Sequence, residues 1–418
     1  MLLSHKTAIR LTPDQSNIVG HMCYAAYKLW NTGNYERMNY QELGLQEYPD
    51  WYYQKKRHKD DLWYKQLPSQ TAQEVLKLLD KAWKSFYSLK RSEGIENPGP
   101  PRFKRSPIAI TYMQNGILHE VSSDQVRLSL PKKLMGYMAE TYGICDKYLY
   151  LKNSIFKNTD AIKQIRIYPP EKERCEVIVI YEVPDVLPLP DNGRYLSIDP
   201  GLHNLMTCYD SAAGDTFIIG RKYLPLCRYF NKEIARVQSQ WSSAQHRQGI
   251  RYPKNSKHLQ KLYKKKNHSV KDYLHKVTRH IVRYCMEHGI NTVVIGDITN
   301  IREGKDLGRK TNQKLHALPY AKICRMLEYK LAMCGIRFVK QDEAYTSQTS
   351  PLSEKVSREN ARKRNRVKRG LYEDRGYVWN ADSVGAFNIL RLYVSSKGKE
   401  IRPDPNEIRP PYVVKVAV

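Results

Sequence analysis

Acidic residues are scarce in this sequence. Only 42 Asp and Glu stand against 70 Lys and Arg over 418 residues, a formal net charge of +28. Such an imbalance points to a polyanionic partner, with nucleic acid first. Phenylalanine is scarce too, 7 against 31 Tyr. Aromatic faces that carry a hydroxyl suit stacking on bases and touching phosphates. No apolar run is long enough to span a bilayer and no signal-peptide pattern opens the chain, so a membrane partner is set aside and a prokaryotic cytoplasmic or nucleoid location is expected. None of the eight cysteines is spaced three residues from another, so there is no CxxC pair for redox chemistry or a zinc knuckle. Most cysteines fall on apolar faces and read as core thiols. What is abundant is sufficient for two or three folded domains, since 41% of the residues are hydrophobic.

The rest of the chain is read around Tyr195-Leu196-Ser197-Ile198-Asp199-Pro200-Gly201, a short apolar strand ending in one acid and a Pro-Gly turn. Two further short strands follow with hairpin chemistry between them, giving an antiparallel meander. An acid at a strand end beside a turn can hold Mg²⁺, which takes hard oxygen ligands and few protein carboxylates, or it can merely cap the turn. Residues 223–250 and 256–288 read as two long helices. Within the second, Lys261-Leu262-Tyr263-Lys264-Lys265-Lys266 alternates charge with an aromatic, which suits phosphate contact plus stacking. Residues 291–298 form a continuous apolar strand, buried on both faces. A Gly/Lys/Arg-rich loop over 302–316, a helix over 319–334, a strand over 336–343 and a final helix over 382–393 complete the order βββαβαβα. This is the order of an RNase H fold.

The N-terminal half is different. Residues 2–12 read as a strand. Thr12 and Pro13 then open a helix whose apolar face runs through Ile18, Met22 and Leu29. A polar, Tyr-rich stretch reaches about residue 65. A second helix follows with Ala72, Val75, Leu79 and Trp83 inward and lysines outward. The Pro- and Gly-containing segment 95–101 breaks it. Four β-rich segments, 109–113, 126–130, 162–168 and 176–183, join the first strand in an expected small β barrel of oligonucleotide-binding type. The helices are an insertion into it.

These blocks resemble TnpB, the transposon-encoded RNA-guided nuclease, and the compact type V CRISPR effectors related to it. Leu196 to Gly201 resembles the first RuvC motif, and Val293-Val294-Ile295-Gly296-Asp297-Ile298 the second. Asn380-Ala381-Asp382 with the residues to Leu390 resembles the third, and Tyr345-Thr346-Ser347-Gln348-Thr349 the segment before it. Asp272 to Thr278 and Pro100-Pro101-Arg102-Phe103-Lys104 resemble further blocks. The resemblance implies a wedge-like β-barrel domain over 1–12 and 96–190 and a helical recognition domain over 13–95. It implies a RuvC-like nuclease domain over 191–418, with a helical insertion at about 223–288.

Two departures bear on the chemistry. The family usually carries Glu in the second motif, where this chain has Gly296. Glu343, at the end of the next strand, is the expected substitute. Asp297 is the rival, although strand alternation turns it to the face opposite Gly296. The family also usually carries a four-cysteine zinc ribbon. Here Ser350-Pro351-Leu352-Ser353 and Tyr372-Glu373-Asp374-Arg375-Gly376-Tyr377 occupy those places and no cysteine follows Cys334, so the region of about 344–380 is expected to be a degenerate ribbon without structural zinc. The basic segment 355–369 inside it is expected to grip nucleic acid or to be mobile.

The resemblance implies an endonuclease that uses a guide RNA to find double-stranded target DNA beside a short flanking motif. Cutting would be two-metal hydrolysis, with Asp199, Glu343 and Asp382 holding two Mg²⁺ ions about 4 Å apart. Arg102, Lys104, Tyr27, Lys264, Lys265 and Lys266 are candidate nucleic-acid contacts. Two alternatives stay open: a nuclease-inactive, RNA-guided repressor, and a transposase or integrase of RNase H fold. Oligomeric state and transposon or CRISPR context are not legible.

Overall fold

Thr12 ends the first strand, β1 (Leu2–Arg10), and starts the first helix, α1 (Pro13–Met38). Its hydroxyl accepts from the Gln15 backbone N–H at 3.2 Å, and the Gln15 side chain accepts from the Thr12 N–H at 2.9 Å. Two helix-end donors are satisfied in this way, with Pro13 at the first helical position. The computed structural model describes residues 1–92, 96–299, 318–368, 370–401, 404, 406 and 408–418. They fall into two units, Met1–Asp185 and Val186–Val418.

In the first unit, α2 (Trp51–Arg57), α3 (Leu62–Lys65) and α4 (Ser69–Arg91) follow α1. The short helices α2 and α3 fall in the Tyr-rich stretch read from the sequence as irregular. Their apolar content is too brief for a periodic signal, and Asp50 supplies a cap by accepting from Tyr53 N–H at 2.8 Å. At Gly33 a Cβ would stand 3.1 Å from Leu79 and 3.2 Å from Leu76, so a glycine lets α1 and α4 approach closely. Below this contact Arg37 is fully buried. It donates to Asp80 at 2.9 Å and to Gln54 at 2.9 Å.

The strands of this unit are β2 (Ile110–Met113), β3 (Ile117–His119), β4 (Gln125–Ser129), β5 (Tyr148–Lys152), β6 (Ile162–Ile167) and β7 (Arg174–Glu182). The helices α5 (Lys132–Tyr142) and α6 (Ser154–Lys157) flank β5. The described strands form two sheets, β1-β7-β6-β2 and β3-β4-β5. The segment at 126–130, expected in one barrel with the others, therefore belongs to the second sheet. Its partners are its near neighbours β3 and β5, and Val126 and Leu128 reach the common core from there. Helices and both sheets share that single apolar core.

The second unit is built on a six-stranded sheet. Its strands are β8 (Tyr195–Pro200), β9 (Met206–Asp210), β10 (Thr216–Ile219), β11 (Thr292–Asp297) and β12 (Arg337–Asp342), with β15 (Tyr412–Val414) at one edge. The order is β12-β11-β8-β9-β10-β15. The meander β8-β9-β10 is antiparallel, and β11 runs parallel to both β8 and β12. The edge strand β15 has no counterpart in the sequence reading. Three residues after a Pro-rich stretch give no periodicity, and pairing beside β10 makes them a strand.

Helices α7 (Tyr223–Arg247) and α8 (Lys257–Glu287) form a long hairpin, followed after β11 by α9 (Tyr320–Ala332). The hairpin's connecting loop is pinned where Trp241 and Gln245 both donate to the Lys254 carbonyl, at 2.6 and 2.9 Å. The expected loop at 302–316 lies outside the described residues, as does Arg369. The last helix, α10 (Ala381–Ser396), covers the sheet with Val384, Phe387, Ile389 and Leu390.

A hairpin of β13 (Leu371–Asp374) and β14 (Tyr377–Asn380) precedes α10. Here side chains hold the segment that the sequence marks as a degenerate ribbon. Ser350 donates to Asp374 at 2.5 Å, and Tyr372, fully buried, packs near Trp379 and donates to the Gln348 carbonyl. Arg391 of α10 donates to the carbonyls of Ser353 and Glu354.

Candidate active site

Asp199 is the fifth residue of β8, in register with Thr207 of β9. Ser197, two residues earlier on the same face, donates to the Ala386 carbonyl at 2.7 Å and so locks β8 against α10. Gly385 makes the next contact possible. A Cβ there would lie 2.5 Å from Asp199 Oδ2, so the carboxylate occupies space that any other residue would fill. Asp382 enters from the first turn of the same helix. Asn380 caps that helix, accepting from the Asp382 and Ser383 N–H groups at 3.0 and 3.1 Å.

Glu343 follows directly on β12. Its segment is tied down by Asn388 of α10, which donates to the carbonyls of Thr346 and Thr349, both at 2.8 Å. Thr346 in turn donates its hydroxyl to the Glu343 carbonyl at 2.8 Å. The Glu343 side chain fills the place left empty by Gly296, where a Cβ would stand 2.5 Å from Oε2. That Oε2 is buried and has no hydrogen-bond partner.

Electrostatics link the three acids. Burial, and then the charges of Glu343 and Asp382, push Asp199 well above the usual carboxylate range, against a smaller opposing effect of Arg366. Burial, and then Asp342 and Asp297, push Glu343 up to about 7. Asp297 behaves differently. Burial raises it, but hydrogen bonds from Thr299 and from the Tyr320 hydroxyl at 3.2 Å outweigh that and hold it low. Its Oδ1 is thus engaged by Thr299 and by Tyr320 of α9.

Asp199 and Asp382 line a cleft of about 700 Å³ together with Gly201, His203, Asn204, Arg221, Arg228 and Arg366. Arg366, from the basic segment, lies 3.5 Å from Asp382 Oδ1. Asn204 donates to Asp382 Oδ2 at 2.8 Å. Sequence reading missed Asn204, Arg221 and Gly385 as site residues. Gly385 lies inside the third motif and Asn204 in the turn just after the first, but only the packing shows that they touch the acids. Among the described residues, no three His, Cys, Asp or Glu side chains are grouped tightly enough to hold a metal ion as they stand. By chemistry the set nonetheless fits a hard cation. It offers carboxylate oxygens only, one of them buried and unpartnered, and Asp199 is raised by burial and then by the charges of Glu343 and Asp382, which a cation would relieve.

The candidate nucleic-acid contacts are scattered. Arg102 is exposed, and Lys104 lies over the Trp30 ring at 4.4 Å. Tyr27 is half-buried beside Tyr24 and Lys28. On α8, Lys264 and Lys265 are exposed, while Lys266 donates to Asn231 of α7 at 2.6 Å.

Fold and site define a mixed α/β protein with three carboxylates gathered at one end of a sheet. Residues 178–302 match the family model described as "Probable transposase" (OrfB_IS605), and residues 320–389 match a "Cas12f1-like, TNB domain". The chain is 24% identical over 379 residues to a protein of Escherichia coli (strain K12) named "Putative RNA-guided DNA endonuclease InsQ", covering 86% of this chain and 85% of that one. It is 21% identical over 433 residues to "TnpB-like protein ORF457" of Acidianus two-tailed virus, covering 94% and 88%. A solved Cas12f1–sgRNA–target DNA complex aligns with a TM-score of 0.37 and 14% identity, over 93% of this chain and 98% of that one. In sequence the chain is similar to TnpB-like proteins and to the type V CRISPR effectors. Among the described residues, no helix is long and apolar enough to cross a membrane.

Proposed function

We propose that this protein is an RNA-guided DNA endonuclease, with Asp199, Glu343 and Asp382 as the acids of a RuvC-type site. The observation that carries the reading is the placement of Glu343, whose unpartnered Oε2 fills the space at Gly296. An acid missing from β11 is thereby supplied from its neighbour β12. The order β12-β11-β8-β9-β10, with α10 across it, supports an RNase H-like core. The names of the relatives support a guide RNA and a DNA target.

The three acids would hold Mg²⁺. When bound, the ions supply Lewis acidity, making a water more acidic and neutralising charge at the leaving oxygen. The chain's own residues do the rest. Arg221, Arg228 and Arg366 line the cleft beside the acids and give it the positive charge that a phosphodiester backbone requires. Glu343 and Asp199, both raised, would hold the cation in their deprotonated forms, so loading would release their protons. A guide RNA pairs with the target strand, and the protein reads a short flanking duplex motif.

The test is cleavage of a supercoiled plasmid library by protein purified with its native RNA, with Mg²⁺ and with EDTA. Cuts beside one short sequence, dependent on Mg²⁺, are expected. RNA-dependent binding without cuts would make this a guided repressor, and activity without any RNA would return it to the transposases.

A further inference from the structure

The turn after β8 and the turn after β10 meet at the rim of the cleft. Asn204 stands in the first. Its amide donates to Asp382 Oδ2 at 2.8 Å, and its side-chain oxygen accepts from Arg221 Nε at 2.9 Å. Two glycines make this meeting possible. At Gly201 a Cβ would stand 2.7 Å from the Asn204 carbonyl oxygen. Gly220 sits at φ +89, and a Cβ there would lie 2.5 Å from Leu205 Cβ. The backbone beside Asn204 is thus packed against both turns. The guanidinium of Arg221 also fixes which end of the Asn204 amide faces the acid, because only the oxygen can accept from Nε.

We propose that Asn204 and Arg221 act as one relay that positions Asp382 for cation binding. Both are positioning residues. The relay rests on the reading of Asp382 as one of the cation-holding acids. Asp382 sits on the first turn of α10, where its backbone is fixed by Asn380 and Arg366 lies 3.5 Å from its Oδ1. The Asn204 donor fixes Oδ2, and with it the plane of the carboxylate. Partners that orient a metal-ligating carboxylate typically change metal affinity by about 10–100-fold when removed.

The relay makes a prediction of opposite sign to simple charge. Arg221 is an exposed cation beside a site for cations. By Coulomb's law alone, Arg221→Ala should lower the Mg²⁺ concentration needed for loading. Through the relay, the same substitution frees the Asn204 amide to turn, and the requirement should rise. Arg228 lines the same cleft and serves as the charge control.

The experiment uses the RNA-bound protein and its Asn204→Ala, Arg221→Ala, Asn204→Ala/Arg221→Ala and Arg228→Ala variants. Two quantities are read against Mg²⁺. One is the cleavage rate. The other is the rise in unfolding temperature without target DNA, taken relative to Asp199→Ala, which reports ions held by RNA alone. Asn204→Ala and Arg221→Ala should each raise the half-saturating Mg²⁺ about tenfold in both readouts. The double variant should be no worse than either single one, and Arg228→Ala should not raise the requirement in the melting readout, which contains no target DNA. A fall or no change with Arg221→Ala, or additive losses in the double variant, would overturn the relay. If the wild type does not cut but its melting responds to Mg²⁺ through Asn204, the relay stands and the endonuclease reading fails.

Discussion

Glu343 Oε2 lies 2.5 Å from the point where a Cβ on Gly296 would stand. Gly296 is on β11 and Glu343 directly follows the adjacent parallel strand β12, and one is small so that the other can reach across. On the proposed reading, Glu343 supplies the acid whose place on β11 is taken by Gly296. Glu343→Ala should abolish cleavage and leave RNA binding intact, whereas Asp297→Asn should keep most activity because Thr299 and Tyr320 already engage its Oδ1. Plasmid cleavage beside an RNA-binding assay separates the two. Full activity in Glu343→Ala would return the role to Asp297.

The same pair predicts a rescue. Gly296→Glu alone places two acids in one space and should inactivate the protein. Gly296→Glu combined with Glu343→Gly should recover measurable cutting, since either strand end can present a carboxylate there. Failure of the double variant to cut, with the protein folded by circular dichroism, would count against shared occupancy.

Gly385→Ala offers a test in which helix propensity and function have opposite signs. Alanine favours a helix interior by about 1 kcal/mol over glycine. Its Cβ would stand 2.5 Å from Asp199 Oδ2, so the carboxylate must move. Cleavage should fall by at least about tenfold, the penalty expected when an acid is displaced by an ångström or so. RNA binding should be unaffected.

Protonation gives a stability signature. Glu343 is raised to about 7, first by burial and then by Asp342 and Asp297, so the folded chain holds a proton there that the unfolded chain releases nearer pH ~4.3. The contribution is fully present below the unfolded value and is lost as pH rises through about 7. In EDTA, Tm should therefore decline between about pH 5 and about pH 8 more steeply in the wild type than in Glu343→Gln, and the variant should melt higher at the upper end. Parallel profiles would show that Glu343 is not raised.

In the segment around Ser350 and Tyr372, the Ser350–Asp374 bond, the Tyr372–Trp379 contact and the Arg391 bonds to two carbonyls do the holding. We propose that it needs no zinc. Elemental analysis of the purified protein should find far less than one equivalent, and a strong zinc chelator should leave Tm unchanged. Arg391→Ala, in contrast, should lower it. A drop with chelator alone would show that a metal is structural.

Much of this protein is legible in sequence because its signals are local. The capping pair at Thr12 and Gln15, the meander turns, the continuous apolar run at Thr292–Asp297 and the long helical hairpin each depend on neighbours a few residues away. Asp199 can be named as a candidate for the same reason, at a strand end, and Asp382 through the resemblance of the motif it sits in. Side-chain alternation along a strand is enough to set Gly296 and Asp297 on opposite faces.

Tertiary structure alone decided the remainder. Whether residues 126–130 join one sheet or another depends on pairing partners that alternation does not specify. The roles of Gly385, Gly201 and Gly220 exist only as distances to Asp199, Asn204 and Leu205. Asn204 reaches Asp382 across 178 positions of sequence, and Arg221 reaches Asn204 from the turn after β10. The sequence by itself determined the long elements, through periodicity and turn chemistry, and its motifs offered the candidate acids. Only the fold decided which of those acids share a space, because that is set by close packing between residues far apart in the chain.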